Sequence, residues 1–183
     1  MDTDTQPVVV LSRALDQAGD ALASIRSDDW SKATPCGDWS VRDLAAHLSA
    51  TPGHFLQMAR GEEVDWSSGP DIPERDWASR FRSDADDLIH HWHTQPADQA
   101  GQADWQSAEL GVHTWDLVTA LGRPVTLDDE VAERGLAFLQ QGLTAENRGD
   151  AFGGPVEVAP DAPAYDRLVA FAGRDPKAQA TQP

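Results

Sequence analysis

Positive charge is scarce in this chain. Fourteen Lys and Arg stand against 31 Asp and Glu in 183 residues, a formal net charge of −17 with histidine neutral. A surface that negative repels phosphate backbones and anionic lipid, so nucleic acid and membrane surfaces are poor partners. Lysine is nearly missing: Lys32 and Lys177 are the two present. With abundant Ala and Asp, that bias reads as a GC-rich genome rather than as function. Cysteine is scarcer still. Cys36 alone excludes an internal disulfide framework and fits a reducing cytoplasm, the expected location. No apolar run approaches the roughly 20 residues that span a bilayer. The start, Met1-Asp-Thr-Asp-Thr5, is acidic where a signal peptide is basic. Nucleotide-binding and nucleophile motifs are also absent: there is no GxGxxG, Walker loop, CxxC or GxSxG. No convincing period-two strand appears apart from a doubtful Val156-Glu-Val158, and there is no internal repeat.

Helical periodicity is what the chain has in plenty. Leu11, Leu15, Ala18, Leu22 and Ile25 recur at spacings of four and three, a bundle-seam stripe. Thr34-Pro-Cys-Gly-Asp-Trp39 is a turn, and Ser40-Val-Arg-Asp43 then reads as a capping box opening a second helix. That helix buries Val41, Leu44, Ala45 and Leu48, is kinked or split at Pro52, resumes with Phe55, Leu56 and Ala59, and stops near Gly61. A third starts near Pro73-Glu74 and aligns Trp77, Phe81, Leu88 and Trp92. The fourth covers Ala103 to Leu121, with Gly122 and Pro124 as its stop. A fifth, capped by Asp128 or Asp129, carries Ala132, Leu136, Leu139 and Leu143. A short last helix from Pro163 to Ala172 closes at Gly173, with a frayed tail beyond. The expected fold is all-α, an antiparallel helical bundle. Seven Trp and five Phe supply its anchors, and Trp39, Trp105 and Trp115 are candidates to line a cavity.

Chemistry concentrates on the fourth helix. Trp105, Glu109, His113, Asp116 and Ala120 form one stripe beside an apolar one of Leu110, Leu117 and Leu121. Glu109 and His113 are one turn apart, so a carboxylate and an imidazole can meet at one ion. Such pairs are more often solvated or bonded to each other. The second helix offers His47, with Asp43 one turn earlier either orienting its imidazole or merely capping. Two imidazoles and one carboxylate make the ligand count of a catalytic zinc site with an open fourth position. His54, one heptad after His47, is the nearest contender for a fourth ligand. Asp116 either handles protons near His113 or bonds a neighbouring helix. His90-His-Trp-His93 reads as surface around the core residue Trp92. Cys36 has no basic neighbour in sequence except Lys32, which leaves a catalytic thiol without a cause.

The same segments carry a resemblance. Thr34-Pro-Cys-Gly-Asp-Trp-Ser-Val-Arg-Asp-Leu-Ala-Ala-His47, with Met58-Ala-Arg-Gly61, resembles the N-terminal signature of the mycothiol-dependent maleylpyruvate isomerase family within the DinB-like superfamily. Ala103-Asp-Trp-Gln-Ser-Ala-Glu109-Leu-Gly-Val-His113-Thr-Trp-Asp-Leu117 resembles that family's second metal-binding segment. Ala151-Phe-Gly-Gly-Pro155, Ala162-Pro-Ala-Tyr-Asp-Arg-Leu168 and Gly173-Arg-Asp-Pro176 resemble a short actinobacterial subgroup described as metal-binding. The resemblance implies a DinB-like antiparallel four-helix bundle with additional short helices, in one domain over residues 1–175 with a disordered tail at 176–183. It implies a divalent metal, zinc, on His47, Glu109 and His113, with mycothiol as cofactor or co-substrate. The expected partners are a small-molecule substrate and a low-molecular-weight thiol, and the expected assembly is a monomer or homodimer. The expected activity is thiol transfer to, or thiol-assisted isomerisation of, a small electrophile, ahead of metal-dependent hydrolysis. The alternative is a non-catalytic bundle that binds a metal or small ligand.

Overall fold

The computed structural model describes residues 7–96, 99–123, 125–148 and 152–177. Among these residues there are six α-helices and no strand. They are α1 (Pro7–Ala23), α2 (Val41–Ala59), α3 (Trp77–His93, entered through a 3₁₀ turn Glu74–Asp76), α4 (Gly101–Leu121), α5 (Asp129–Gly142) and α6 (Ala164–Phe171). The all-helical fold matches the expectation from periodicity. Val156–Val158 is not a strand, and among the described residues an isolated bridge joins Ala33 to Ser40. Pro124, Ala151 and residues 178–183 lie outside the described residues.

The first four helices form the bundle: α1 packs on α3 and α4, and α2 packs on the same two. Their seam is the stripe that the sequence displays. Leu11, Leu15, Ala18 and Leu22 of α1 are buried against Val41, Leu44 and Leu48 of α2, Phe81 and Leu88 of α3, and Leu110 and Leu117 of α4. Ser40 caps α2 reciprocally: its Oγ accepts from the Asp43 amide at 3.3 Å, and the Asp43 carboxylate accepts from the Ser40 amide at 2.9 Å. These bonds to Ser40 hold Asp43 below its usual carboxylate range. Asp43 therefore serves the cap, not His47. Pro52 does not split α2, which runs unbroken to Ala59 with Thr51 Oγ1 donating to the His47 carbonyl at 2.8 Å. Ala59 is exposed, unlike Phe55 and Leu56. Gly122 ends α4 in the left-handed region, φ 64°, which a side chain would resist.

A second layer builds on the far side of α4. Ala108, Val112 and Trp115 pack against Ala132, Leu136 and Leu139 of α5 and Tyr165, Leu168 and Val169 of α6. Helix α4 is buried on both sides, between two apolar clusters, which leaves little of it for solvent. Gln17 of α1 bridges the layers, donating to the Tyr165 hydroxyl and accepting from the Asp128 amide at 3.0 Å. A bidentate Arg134–Asp104 pair, 2.8 and 2.9 Å, clamps α5 to the start of α4. No helix among the described residues is long and apolar enough to cross a membrane.

Candidate metal centre

Where α2 faces α4, His47 and the Glu109/His113 pair come together. His47 Nε2 lies 3.1 Å and His113 Nε2 3.2 Å from the same oxygen, Glu109 Oε1. All three ligand atoms fall within 4.8 Å of one another. Donors about 2.0–2.1 Å from a tetrahedral zinc are separated by about 3.3–3.4 Å, so the spacing of this set fits such an ion. The side chains are recessed but reachable, 12%, 18% and 12% exposed for His47, Glu109 and His113. Burial alone would push the Glu109 carboxyl up. The charge of His113 and hydrogen bonds from both imidazoles together outweigh it and hold Glu109 far below its usual range. Burial likewise opposes a charged His113, yet the Glu109 charge and bonds to Asp116, Cys36 and Glu109 raise it well above its ordinary value. Without a metal, the charged His113 imidazole answers Glu109, in the place where a divalent ion would do so.

The three residues form one wall of a cleft of about 760 Å³, lined also by Cys36, Trp39, Phe152 and Arg174. That volume is in the range of small-molecule sites. Trp39 comes from the turn after α1, pinned by Thr34, whose amide and hydroxyl both donate to the Trp39 carbonyl at 3.1 and 2.8 Å. Its indole stacks on the His113 ring at 6.1 Å between centroids, 19° from parallel, and leans on His47 at 5.2 Å. Of the three candidate cavity tryptophans, it alone reaches the cleft. Trp105 instead packs on Phe55 and Trp66, and Trp115 lies in the α5/α6 layer.

His54 does not join the centre. Its Nε2 bonds Ser68 Oγ at 3.1 Å, its ring packs on Trp66, and burial, then repulsion from His47, lowers its pKa. His90 and His93 are exposed and His91 half-buried, while Trp92 is buried with its indole N–H donating to Gln106, as its place on the core stripe requires.

Two contributors escape sequence reasoning. Arg174 lies one residue past Gly173, where the chain would be expected to fray, yet it is only 6% exposed. Helix α6 ends in a reversing cap: the Gly173 amide bonds the Ala170 carbonyl at 3.0 Å and the Arg174 amide the Val169 carbonyl at 2.9 Å. Gly173 sits at φ 89°, and a Cβ there would come within 2.6 Å of the Gly153 backbone. The reversal sends Arg174 back to α4, where Nε and Nη2 grip both oxygens of Asp116 at 3.2 and 2.9 Å. Asp116 also faces His113 Nδ1 at 3.3 Å, so it touches both the candidate ligand and the segment that follows α6. Cys36 is the second: Arg174 Nη2 stands 3.5 Å from its Sγ, so the thiol has a basic neighbour 138 residues away in sequence. Cys36, His113 and Asp116 form a second donor group that shares His113 with the first.

Residues 11–128 match the family described as Mycothiol maleylpyruvate isomerase N-terminal domain. The chain belongs to this family. The matched span takes in α1 from Leu11 onward and α2 to α4, and with them His47, Glu109, His113, Asp116, Cys36 and Trp39, whereas Phe152, Gly173 and Arg174 lie beyond it. Two uncharacterized proteins of Mycobacterium tuberculosis, from strains CDC 1551 / Oshkosh and H37Rv, are each 27% identical over 185 residues, covering 92% of this chain and 97% of their own length. No solved structure matches the chain.

Proposed function

We propose that this protein is a divalent-metal enzyme, with zinc on His47, Glu109 and His113, that joins a low-molecular-weight thiol of the mycothiol class to a small electrophile. The observation that carries the reading is the convergence of three donor atoms on the wall of an open cleft. A structural zinc would call for a fourth, closing side chain; His54 is bonded to Ser68, and Cys36, on the same cleft, groups with His113 and Asp116 rather than with His47 and Glu109. Two neutral imidazoles and one carboxylate leave a divalent ion with net positive charge. When bound there, the ion supplies Lewis acidity that favours the conjugate base of a thiol, or of water in the hydrolytic variant, near neutral pH.

The chain's own groups do the rest. Asp116 takes the Nδ1 proton of His113 in a hydrogen bond and so leaves Nε2 as the ligating lone pair. Trp39 covers the imidazole faces and limits water on that side. The cleft holds the electrophile beside the nucleophile. The thiol proton leaves to solvent and a carbon–sulfur bond forms. Departure of a group from the electrophile then completes transfer, and departure of the sulfur after bond rotation completes isomerisation.

Protein purified without a histidine tag should contain about one equivalent of zinc by elemental analysis, because the two donor groups share His113 and cannot both be filled. His47→Ala and His113→Ala should each lose most of it. Zinc-loaded protein should consume thiol with a generic electrophile faster than the metal-free form. Full zinc content in both variants would remove the ligand assignment, and equal rates with and without metal would remove the chemistry.

A further inference from the structure

We infer that Arg174 and Asp116 are a positioning pair for the metal centre, through which the C-terminal segment sets the direction of the His113 lone pair. The inference rests on the reading of His113 as a ligand. Asp116 Oδ2 accepts from Arg174 Nη2 at 2.9 Å and faces His113 Nδ1 at 3.3 Å, while Oδ1 takes Arg174 Nε at 3.2 Å. Arg174 Nη1 is fixed in turn on the Ala172 carbonyl at 2.9 Å, at the reversing end of α6. The carboxylate is fully buried and the guanidinium nearly so.

Two physical points separate positioning from mere packing. An ion pair this buried does little for stability that apolar side chains of equal volume would not do, so its chemistry calls for another reason. An ionised carboxylate locked by a guanidinium can only accept, which obliges His113 Nδ1 to carry its proton and turns Nε2 towards Glu109 and His47. Arg174 also answers the Asp116 charge, so Asp116 does not compete with Glu109 for the cation.

The test is cobalt(II) binding to full-length protein stripped of metal, followed by affinity and by the visible spectrum of the bound ion. Asp116→Asn/Arg174→Gln removes both charges together and preserves volume. It should bind cobalt about 10–100-fold more weakly, the usual effect of losing a hydrogen-bond partner behind a ligand, with displaced absorption bands. Arg174→Lys keeps the charge but not the two-pronged grip, and should fall between wild type and the double variant on both readouts. Wild-type affinity and spectrum in a folded double variant would overturn the inference, as would a lower unfolding temperature with an unaltered cobalt spectrum. If the double variant does not fold, Arg174→Lys decides: an affinity and spectrum equal to wild type overturn the inference, and weaker binding with shifted bands supports it. Failure of the wild-type protein to bind cobalt would be a different result, removing the metal reading itself and this inference with it.

Discussion

Glu109 and Asp116 stand two turns apart on α4 and both reach His113, yet their surroundings differ in kind. Asp116 is fully buried and carries a permanent counter-charge, Arg174, on both oxygens. Glu109 lies at the wall of the cleft and faces two imidazoles, groups whose charge depends on pH. An acid with an arginine of its own is part of the frame. One that faces imidazoles at the wall of a cleft, with no arginine among the described residues bonded to it, is suited to hold a cation. Asp29, in the connection between α1 and α2, supports the distinction: it is 1% exposed, is held by Arg123 Nη2 at 2.6 Å and Lys32 Nζ at 2.8 Å, and does not line the cleft.

The sharpest way to break the comparison is Asp116→Ala. It strands the Arg174 charge in the interior and should cost about 3–5 kcal/mol in urea unfolding. A loss under 1 kcal/mol would mean that Asp116 is not framework. Glu109→Gln should do the reverse, weakening zinc by at least about 100-fold, near 2.7 kcal/mol, while moving the metal-free Tm by less than about 4 °C. Equal zinc affinity in isothermal titration would dissolve the difference between the two acids. Gly173→Ala forces a side chain into left-handed backbone and against Gly153, and should cost about 2 kcal/mol, with weaker metal binding because Arg174 is displaced.

The smallest effect belongs to Asp29. The Arg123 hydrogen bond, with help from Lys32 and the Arg26 amide, outweighs burial and depresses its folded pKa. A depressed carboxylate stabilises the fold fully above its unfolded value, near 3.9, and loses that contribution as pH falls through the folded one. Asp29→Asn should therefore cost about 1 kcal/mol at neutral pH and flatten the decline in stability below pH ~4. An unchanged acid limb would show that Asp29 is not held as the distances indicate.

What was legible in sequence was what repeats or caps locally. The four-three spacing in α1, the Ser40/Asp43 box and the Gly122 stop each declare themselves within one or two turns, and each is present in the fold. The convergence of His47 with Glu109 was legible because both occupy the edge of an apolar stripe, and bundle geometry brings such edges together. The Arg174 grip on Asp116 spans 58 residues, and the Cys36 contact spans 138. No local period encodes an arginine that arrives through a reversed helix end from outside the family-matched span. Pro52 does not split α2, because the turns that flank it are buried and their packing offsets the local cost of a proline inside a helix.

Trp39 gives the protein an optical reporter of its own. Because its indole lies face-on to His113 and beside His47, an open-shell ion between those rings would drain its excited state at short range, while zinc, with a filled d shell, would not. Site occupancy could thus be read as the dimming of one lamp among seven, with no label attached.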